Sequence, residues 1–146
     1  GVRLVGSEMC IRDSYISVGS TTHTLDESLV SRFSNYGKQN VDLLAPGSYI
    51  YSTTPGNTFA SMSGTSTSAP VVSGIAAVIF SLKPNLYPAE VKKILIAGIT
   101  MLEGHSISKP GLSEVLLEEI VIYPGVVNLS KSLEVFTDFY LGQSLL

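Results

Sequence analysis

Charged residues are scarce in this sequence, and neither sign dominates. Lysine, arginine, aspartate and glutamate make up 14% of the 146 residues, the formal net charge is −3, and hydrophobic residues make up 45%. A chain this apolar is not typical of a disordered protein, and it lacks the basic excess that binding to nucleic acid requires. The composition therefore indicates a globular protein with no nucleic acid partner.

Long apolar runs, internal repeats and low-complexity tracts are also missing. The longest uninterrupted apolar run is Ile75–Phe80. This run is far shorter than the stretch of about 20 residues that crosses a bilayer as a helix. We therefore expect no transmembrane segment in this sequence.

What the sequence does contain is a serine at the start of a long helix-forming run. Residues 64–70 read Gly-Thr-Ser-Thr-Ser-Ala-Pro, and the residues up to Phe80 are mostly apolar. At a helix N-terminus, Ser66 lies beside unpaired backbone N–H groups and the positive end of the helix dipole, which favour an oxyanion. The pattern predicts a nucleophile at Ser66, with a helix cap rich in serine and threonine as the alternative.

Five segments follow the order and approximate spacing of the C-terminal part of subtilisin-like serine protease domains. They are residues 15–19 (Tyr-Ile-Ser-Val-Gly), 32–37 (Arg-Phe-Ser-Asn-Tyr-Gly), 41–47 (Val-Asp-Leu-Leu-Ala-Pro-Gly), 50–54 (Ile-Tyr-Ser-Thr-Thr) and 64–70. The last segment resembles the family motif Gly-Thr-Ser-Met-Ala-(Ala/Ser)-Pro, with Thr67 in place of methionine. This change alters the packing beside Ser66 and removes an oxidisable thioether, but it takes no proton-transfer group away.

The resemblance implies an α/β fold, in which part of a subtilisin-like three-layer structure combines a mainly parallel sheet with packed helices. It also implies a serine endopeptidase in which Ser66 attacks a peptide carbonyl and its own amide helps to hold the oxyanion. Gly64 lets the substrate approach, and Thr65 and Ser63 are the other expected substrate-binding residues. The alternative is a non-catalytic subtilisin-like domain that binds peptides or has a structural role.

Cofactors, partners and location follow only from the resemblance. The substrate is expected to be a peptide or protein, and the chemistry needs no cofactor or metal. A structural calcium ion is compatible with the family, but no residue is assigned to it. The resemblance implies a secreted or cell-envelope protein.

The sequence offers no residue that can be assigned as the base or the orienting acid. In subtilisins the order along the chain is Asp, His, Ser, so both groups precede the serine. His23 lacks the family's His-Gly-(Thr/Ser) setting and is expected in a solvated loop, whereas His105 follows Ser66 and is expected to face solvent. The aspartates before Ser66 lack the family's Asp-(Ser/Thr)-Gly setting; they are Asp13, Asp26 and Asp42. We interpret Asp26 as a turn residue and Asp42 as part of a strand.

The resemblance divides the chain into three parts. Residues 1–14 are similar to the in-frame translation of a sequencing-library adapter, are interpreted as non-native, and contain the single cysteine, Cys10. Residues 15–135 are interpreted as the C-terminal part of a peptidase domain, and residues 136–146 as an uncertain tail. Truncation would then explain the missing Asp, His and oxyanion Asn, and it would leave an unpaired strand edge and an uncovered helix face.

Local patterns predict the elements that carry the motif. We expect parallel strands at residues 15–19 and 41–45, and a hairpin of residues 49–54 and 58–61 around the Pro-Gly turn at residues 54–57. The helix after Ser66 is expected to be buried on most of its circumference, through Val71, Val72, Ile75, Ala76, Val78, Ile79 and Leu82.

The second half is less strongly patterned. Pro88 and Gly98 mark the start and stop of a helix that extends through Leu95, with one face apolar and two lysines on the other. Residues 100–113 are interpreted as a loop. Residues 124–129 resemble the segment that closes many bacterial subtilisin domains, followed by a helix to Val135, and Asn128 is interpreted as a cap rather than a glycosylation site.

Overall fold

The structure, a computed structural model, describes residues 15–108, 114–140 and 142. It has the predicted α/β fold. The strands are β1 (Val18–Thr21), β2 (Leu43–Pro46), β3 (Ile50–Thr54), β4 (Thr58–Met62), β5 (Thr100–Met101), β6 (Ser106–Ile107), β7 (Val115–Leu116) and β8 (Gly125–Val126). The helices are α1 (Thr65–Leu82), α2 (Pro88–Ala97) and α3 (Leu129–Tyr140), and a 3₁₀ turn covers Leu117–Glu119.

The main sheet has the strand order β1-β2-β8-β5, and its first three strands are parallel. Only β5 is antiparallel to its neighbour β8. The mainly parallel sheet is therefore confirmed. Among the described residues, β1 pairs along its length with β2 alone, apart from one bridge between Thr21 and Val30. Within the described part of the chain, β1 is therefore an edge strand of the sheet.

Both parallel strands lie slightly later in the chain than predicted. Strand β1 begins at Val18 rather than Tyr15, and β2 begins at Leu43 rather than Val41. The displacement has a local cause at Ser17, whose amide donates to the Asp42 carboxylate (2.7 Å) while its carbonyl accepts the Asp42 amide (2.9 Å). A side chain thus takes the place of the backbone partner that would extend the ladder.

Side chains of β2 alternate between two apolar layers. Leu43 and Ala45 pack with the helices on one face of the sheet, whereas Leu44 packs on the opposite face. The helix-side core also contains Val72, Ile75, Ile79, Leu86, Val91, Ile94, Leu95, Ile99, Val127 and Phe136. The opposite core contains Leu29, Val30, Val41, Ile107, Leu117, Ile120 and Val121. Period-two alternation on a sheet covered on both faces accounts for this arrangement.

Helix α1 is buried on one face only. Its buried residues are Ser68, Val72, Ile75 and Ile79. The prediction of burial around most of the helix is wrong for Val78 and Leu82, which are 38% and 55% exposed. The helix packs against β1, β2, α2 and α3, and its other side carries exposed residues such as Ser73, Ala77 and Ser81. The uncovered helix face that a truncation would leave stays a prediction.

By length and composition, α1 is also a helix that could cross a membrane. The sequence prediction considered uninterrupted apolar runs, and α1 contains serine and glycine between its apolar residues. A helix that packs on a sheet meets the same two criteria. The absence of a transmembrane segment stays a prediction.

Helix α2 follows its predicted signals closely. Pro88 begins it, Gly98 ends it, and Val91, Ile94 and Leu95 form its buried face. Of the two lysines, Lys93 is exposed, whereas Lys92 is half-buried and lies 3.2 Å from the Asp42 carboxylate.

Residues 100–113 are not simply a loop. They include β5 and β6, each of two residues, and β6 pairs with β7. Strands this short carry too few residues for a periodic signal. Residues 109–113 lie outside the described residues.

Helix α3 confirms the predicted cap and extends further than predicted. The Asn128 side-chain oxygen accepts the Lys131 amide (3.1 Å), and its side-chain nitrogen donates to the Thr100 hydroxyl (3.0 Å). The helix continues to Tyr140 rather than Val135. Part of the predicted tail, residues 136–146, is therefore helical.

The predicted hairpin is present as β3 and β4, joined at Thr54 and Thr58. Gly56 and Asn57 adopt left-handed backbone conformations, with φ of 83° and 58°, as the tight turn requires. Most hairpin side chains are exposed, and the rings of Tyr51 and Phe59 stack at 5.8 Å. The hairpin connects the carboxyl end of β2 to α1.

Candidate active site at the start of helix α1

Ser66 is the second residue of α1, after the N-cap residue Gly64. Its side chain is exposed, and its hydroxyl has no hydrogen-bond partner among the residues that the structure describes. The first amides of a helix have no carbonyl partner within it, and no described residue accepts the Ser66 amide. An exposed hydroxyl and an amide that no described residue accepts therefore lie together at one helix end, which is where the sequence placed Ser66.

The Gly47 carbonyl anchors this turn to the sheet. It accepts the Gly64 amide (2.9 Å) and lies 2.9 Å from the Thr67 hydroxyl. Gly47 directly follows β2, and its own amide donates to the carbonyl of Thr21, the last residue of β1 (3.1 Å). Ser66 is thereby tied to the carboxyl edge of two parallel strands, where ligands bind in open α/β sheets.

Gly47 has no room for a side chain. A Cβ atom there would overlap the Ser68 and Ser20 hydroxyls and lie 2.8 Å from the Gly64 carbonyl oxygen. Ser20 and Ser68 are both fully buried. A glycine at this position lets the end of β2 contact the start of α1 directly.

Buried hydroxyls surround this contact, and sequence reasoning missed them. The Ser31 hydroxyl lies 2.8 Å from that of Ser20 and 2.7 Å from that of Ser48, and the Ser34 hydroxyl accepts the Ser20 amide (2.8 Å). Buried hydroxyls in hydrogen-bonded networks fix local structure because each would be costly to leave unpaired. Polar residues at the end of an apolar strand, as at Ser20, were the available signal.

The predicted substrate-binding residues adjoin Ser66 along the chain. Ser63 is exposed, and its hydroxyl accepts the Tyr49 amide (2.9 Å), while Gly64 and Thr65 are half-buried. Gly64 has an extended backbone with φ of 167°, which any residue can adopt. A Cβ atom at Gly64 would lie 3.0 Å from the Ser66 hydroxyl oxygen. Glycine therefore keeps open the space beside the candidate nucleophile.

Neither described histidine forms a hydrogen bond with Ser66. His23 is exposed, as predicted, and its ring contacts Tyr49 edge-on at 6.5 Å. His105, which was expected to face solvent, is only partly exposed, and its Nε2 atom lies 3.1 Å from the Asp26 carbonyl oxygen. His105 joins two loops rather than reaching the helix start.

Neither of the two described aspartates that precede Ser66 has a carboxylate that forms a hydrogen bond with a histidine. The Asp26 carboxylate accepts hydrogen bonds from the hydroxyl and amide of Ser28 and from the Thr24 hydroxyl, and these lower its pKa. Asp26 is therefore a turn residue, as predicted. Asp42 lies just before β2, where it is buried and contacts Ser17 and Lys92. Asp13 lies outside the described residues.

Within the described part of the chain, no three histidine, cysteine, aspartate or glutamate side chains are grouped so that they could hold a metal ion. The chemical resources of the site are therefore a hydroxyl, backbone amides and a helix dipole. Such a set can attack a carbonyl and stabilise the resulting oxyanion once a base is supplied.

The chain is similar to known proteins of one family. The model of the subtilase family, Peptidase S8, matches residues 7–111. The chain belongs to the subtilase family. Subtilisin-like protease 1 of Plasmodium vivax is 32% identical to this subtilase over 127 residues, which cover 86% of the chain and 18% of that protein. Subtilisin DY of Bacillus licheniformis is 38% identical over 90 residues, which cover 62% of the chain and 31% of that protein.

A solved structure agrees with this assignment. The CspB protease of Clostridium perfringens aligns with a TM-score of 0.66 at 31% identity, covering 86% of this subtilase and 27% of that protein. The chain spans between 4% and 31% of the length of the curated relatives it matches. Family membership supports a serine protease, but it assigns no role to any individual residue of this chain.

Proposed function

We propose that this subtilase acts as the nucleophile-bearing part of a serine endopeptidase. The observation that carries the proposal is the exposed hydroxyl of Ser66, which has no partner among the described residues and lies on a helix start bonded to the carboxyl edge of the sheet. A nucleophile needs a free oxygen on a fixed support, and this hydroxyl has both.

In the proposed reaction, the Ser66 oxygen attacks a peptide carbonyl and its proton passes to a histidine base. The tetrahedral oxyanion accepts a hydrogen bond from the Ser66 amide and lies beside the positive end of α1. The carbonyl re-forms as the amine leaves with that proton, and water then hydrolyses the acyl ester on Ser66. Gly64 keeps the approach open, and Ser63 and Thr65 contact the peptide substrate.

The base, its orienting acid and the second oxyanion donor come from outside the described residues in this proposal. The reaction needs no cofactor. We also propose a secreted or cell-envelope location, which rests on the family resemblance alone.

Neither described histidine forms a hydrogen bond with Ser66, and this observation favours a second function, a subtilase domain that binds peptides without cleaving them. The two proposals differ in the reactivity of Ser66. In subtilisin, loss of the histidine costs on the order of a millionfold in turnover, so an unassisted serine should not react measurably.

A fluorophosphonate probe separates these proposals. The purified 146-residue chain should not be labelled, because no described residue acts as a base. A complete subtilase domain containing this segment and its upstream residues should be labelled at Ser66 and should cleave casein. Strong labelling of the chain alone would place a base within it, and an inactive complete domain would favour peptide binding.

A further inference from the structure

Position 67 is where this chain departs most clearly from the family motif. Thr67 is the third residue of α1 and is half-buried. Its hydroxyl oxygen lies 2.7 Å from the Gly64 carbonyl oxygen and 2.9 Å from the Gly47 carbonyl oxygen. A methionine at this position could donate to neither carbonyl.

The two acceptors belong to different parts of the fold. A threonine hydroxyl in a helix commonly bonds a carbonyl three or four residues earlier, as the contact with Gly64 does. Gly47 instead follows β2. Since a hydroxyl carries one proton, the arrangement is a three-centre hydrogen bond that joins the first turn of the helix to the strand end.

No other side chain within this first turn makes the same connection. The Ser68 hydroxyl lies 3.5 Å from the Gly64 carbonyl, at the limit of hydrogen bonding, and the described residues give the Ser66 hydroxyl no partner. Within residues 64–68, the Gly47 carbonyl accepts hydrogen bonds only from the Thr67 hydroxyl and the Gly64 amide. Two donors, one on each side of Ser66, therefore converge on one acceptor.

We propose that Thr67 is a positioning residue, whose hydroxyl holds the Gly64–Thr67 turn against Gly47 and thereby fixes the nucleophile Ser66. Its effect on catalysis rests on the proposed function of Ser66, but the connection itself does not. Gly47 is a firm support because its amide and that of Ser48 both donate to the Thr21 carbonyl, at 3.1 and 3.2 Å.

Amide hydrogen exchange tests the connection in the 146-residue chain. Thr67→Val preserves the side-chain shape and removes the donor, so exchange of the Gly64 amide should accelerate about fivefold, the effect of losing one net hydrogen bond. Thr67→Ser should restore the original rate. Ser73→Ala is the matched control, because its hydroxyl bonds Ala69 within the same helix (3.2 Å) and does not reach Gly47. Unchanged Gly64 exchange in Thr67→Val, or failed rescue by serine, would overturn the proposal.

Peptide cleavage by a complete subtilase domain provides the second measurement. Thr67→Val should lower kcat about tenfold with KM unchanged, because a misplaced nucleophile affects the reaction more than binding. Thr67→Ser should recover the loss. An unchanged kcat in an active domain would overturn the positioning role. If the parent domain is inactive, the proposed function fails and the exchange result alone decides whether Thr67 holds the turn.

Discussion

The Lys92 ammonium lies 3.2 Å from the Asp42 carboxylate, and their side chains are only 13% and 6% exposed. Lys92 also donates to the Tyr15 carbonyl (2.9 Å), and Asp42 accepts the Ser17 amide (2.7 Å). The ion pair therefore joins α2 to the segment before β1 and to the start of β2. Each charge has additional hydrogen bonds, which a buried pair needs to offset its desolvation.

Removing one partner of this pair should be costly. Lys92→Met keeps the apolar stem but leaves the Asp42 carboxylate buried without its cation, so the free energy of unfolding should fall by about 3 kcal/mol. Lys93→Met on the exposed side of α2 is the control and should change it by less than about 0.5 kcal/mol. Urea denaturation of both variants would check this. Equal effects at the two positions would contradict a role for the pair.

Two glycine-to-alanine substitutions should change stability in opposite directions. Gly47→Ala forces a methyl group onto two buried hydroxyls and the Gly64 carbonyl, so the free energy of unfolding should fall by about 2 kcal/mol. Gly74→Ala in α1 meets no atom within 4 Å. There, alanine should raise the free energy of unfolding by about 0.5–1 kcal/mol, because it favours the helix. A stable Gly47→Ala variant would show that the strand end can move away from α1.

Ser66→Ala should separate reactivity from stability. The hydroxyl has no partner among the described residues, so its loss should change the free energy of unfolding by less than about 0.5 kcal/mol. In a complete subtilase domain, the same substitution should abolish casein cleavage. An active Ser66→Ala enzyme would remove the nucleophile assignment.

Gly64→Val tests the space beside the nucleophile. Its extended φ of 167° imposes no backbone strain, but the added Cβ would lie 3.0 Å from the Ser66 hydroxyl oxygen. We therefore expect a large loss of peptidase activity in a complete domain and a smaller change in thermal midpoint than Gly47→Ala gives. A midpoint that falls as far as in Gly47→Ala would mean that Gly64 is chiefly structural.

The contact between Glu90 of α2 and Tyr140 at the end of α3 should make the stability of the fold depend on pH in the acid range. Its carboxylate accepts the Tyr87 amide (2.8 Å) and the Tyr140 hydroxyl (2.9 Å), and these bonds lower its pKa from the ordinary 4.5. Because the folded pKa is lowered, the stabilisation is present above pH 4.5 and is lost as the pH falls through the folded value.

Glu90→Gln should therefore be less stable than the parent near neutral pH, with a difference that shrinks below pH 4.5. Urea denaturation from about pH 7 to about pH 3 would measure this difference. Glu134→Gln controls for the loss of one charge, because Glu134 is exposed and lies on α3, the helix that carries Tyr140. A difference that stays constant through this range would contradict the role of the carboxylate.

Sequence patterns predicted those parts of the fold that short-range signals determine. The Pro-Gly pair located the hairpin turn, and Pro88 with Gly98 located both ends of α2. The glycine and serine of the motif located the start of α1. Each signal acts within a few residues, so one sequence was enough to detect it.

Interactions between distant residues were not predictable in the same way. Strands β5 and β6 have two residues each and form through partners elsewhere in the chain. Lys92 and Asp42 are 50 positions apart, and so are Tyr140 and Glu90. In the candidate site, the motif identified Ser66, but the role of Gly47 depends on a close approach that only the assembled sheet and helix create.

The bond between the Gly47 carbonyl and the Gly64 amide also closes residues 48–63 into a loop whose ends meet at 2.9 Å. The exposed hairpin of β3 and β4 lies within that closed loop. Closing a longer flexible loop costs little more entropy, about 0.6 kcal/mol for each doubling of its length. Insertions at the hairpin tip should therefore be well tolerated, and a binding segment could be grafted there while Ser66 keeps its place.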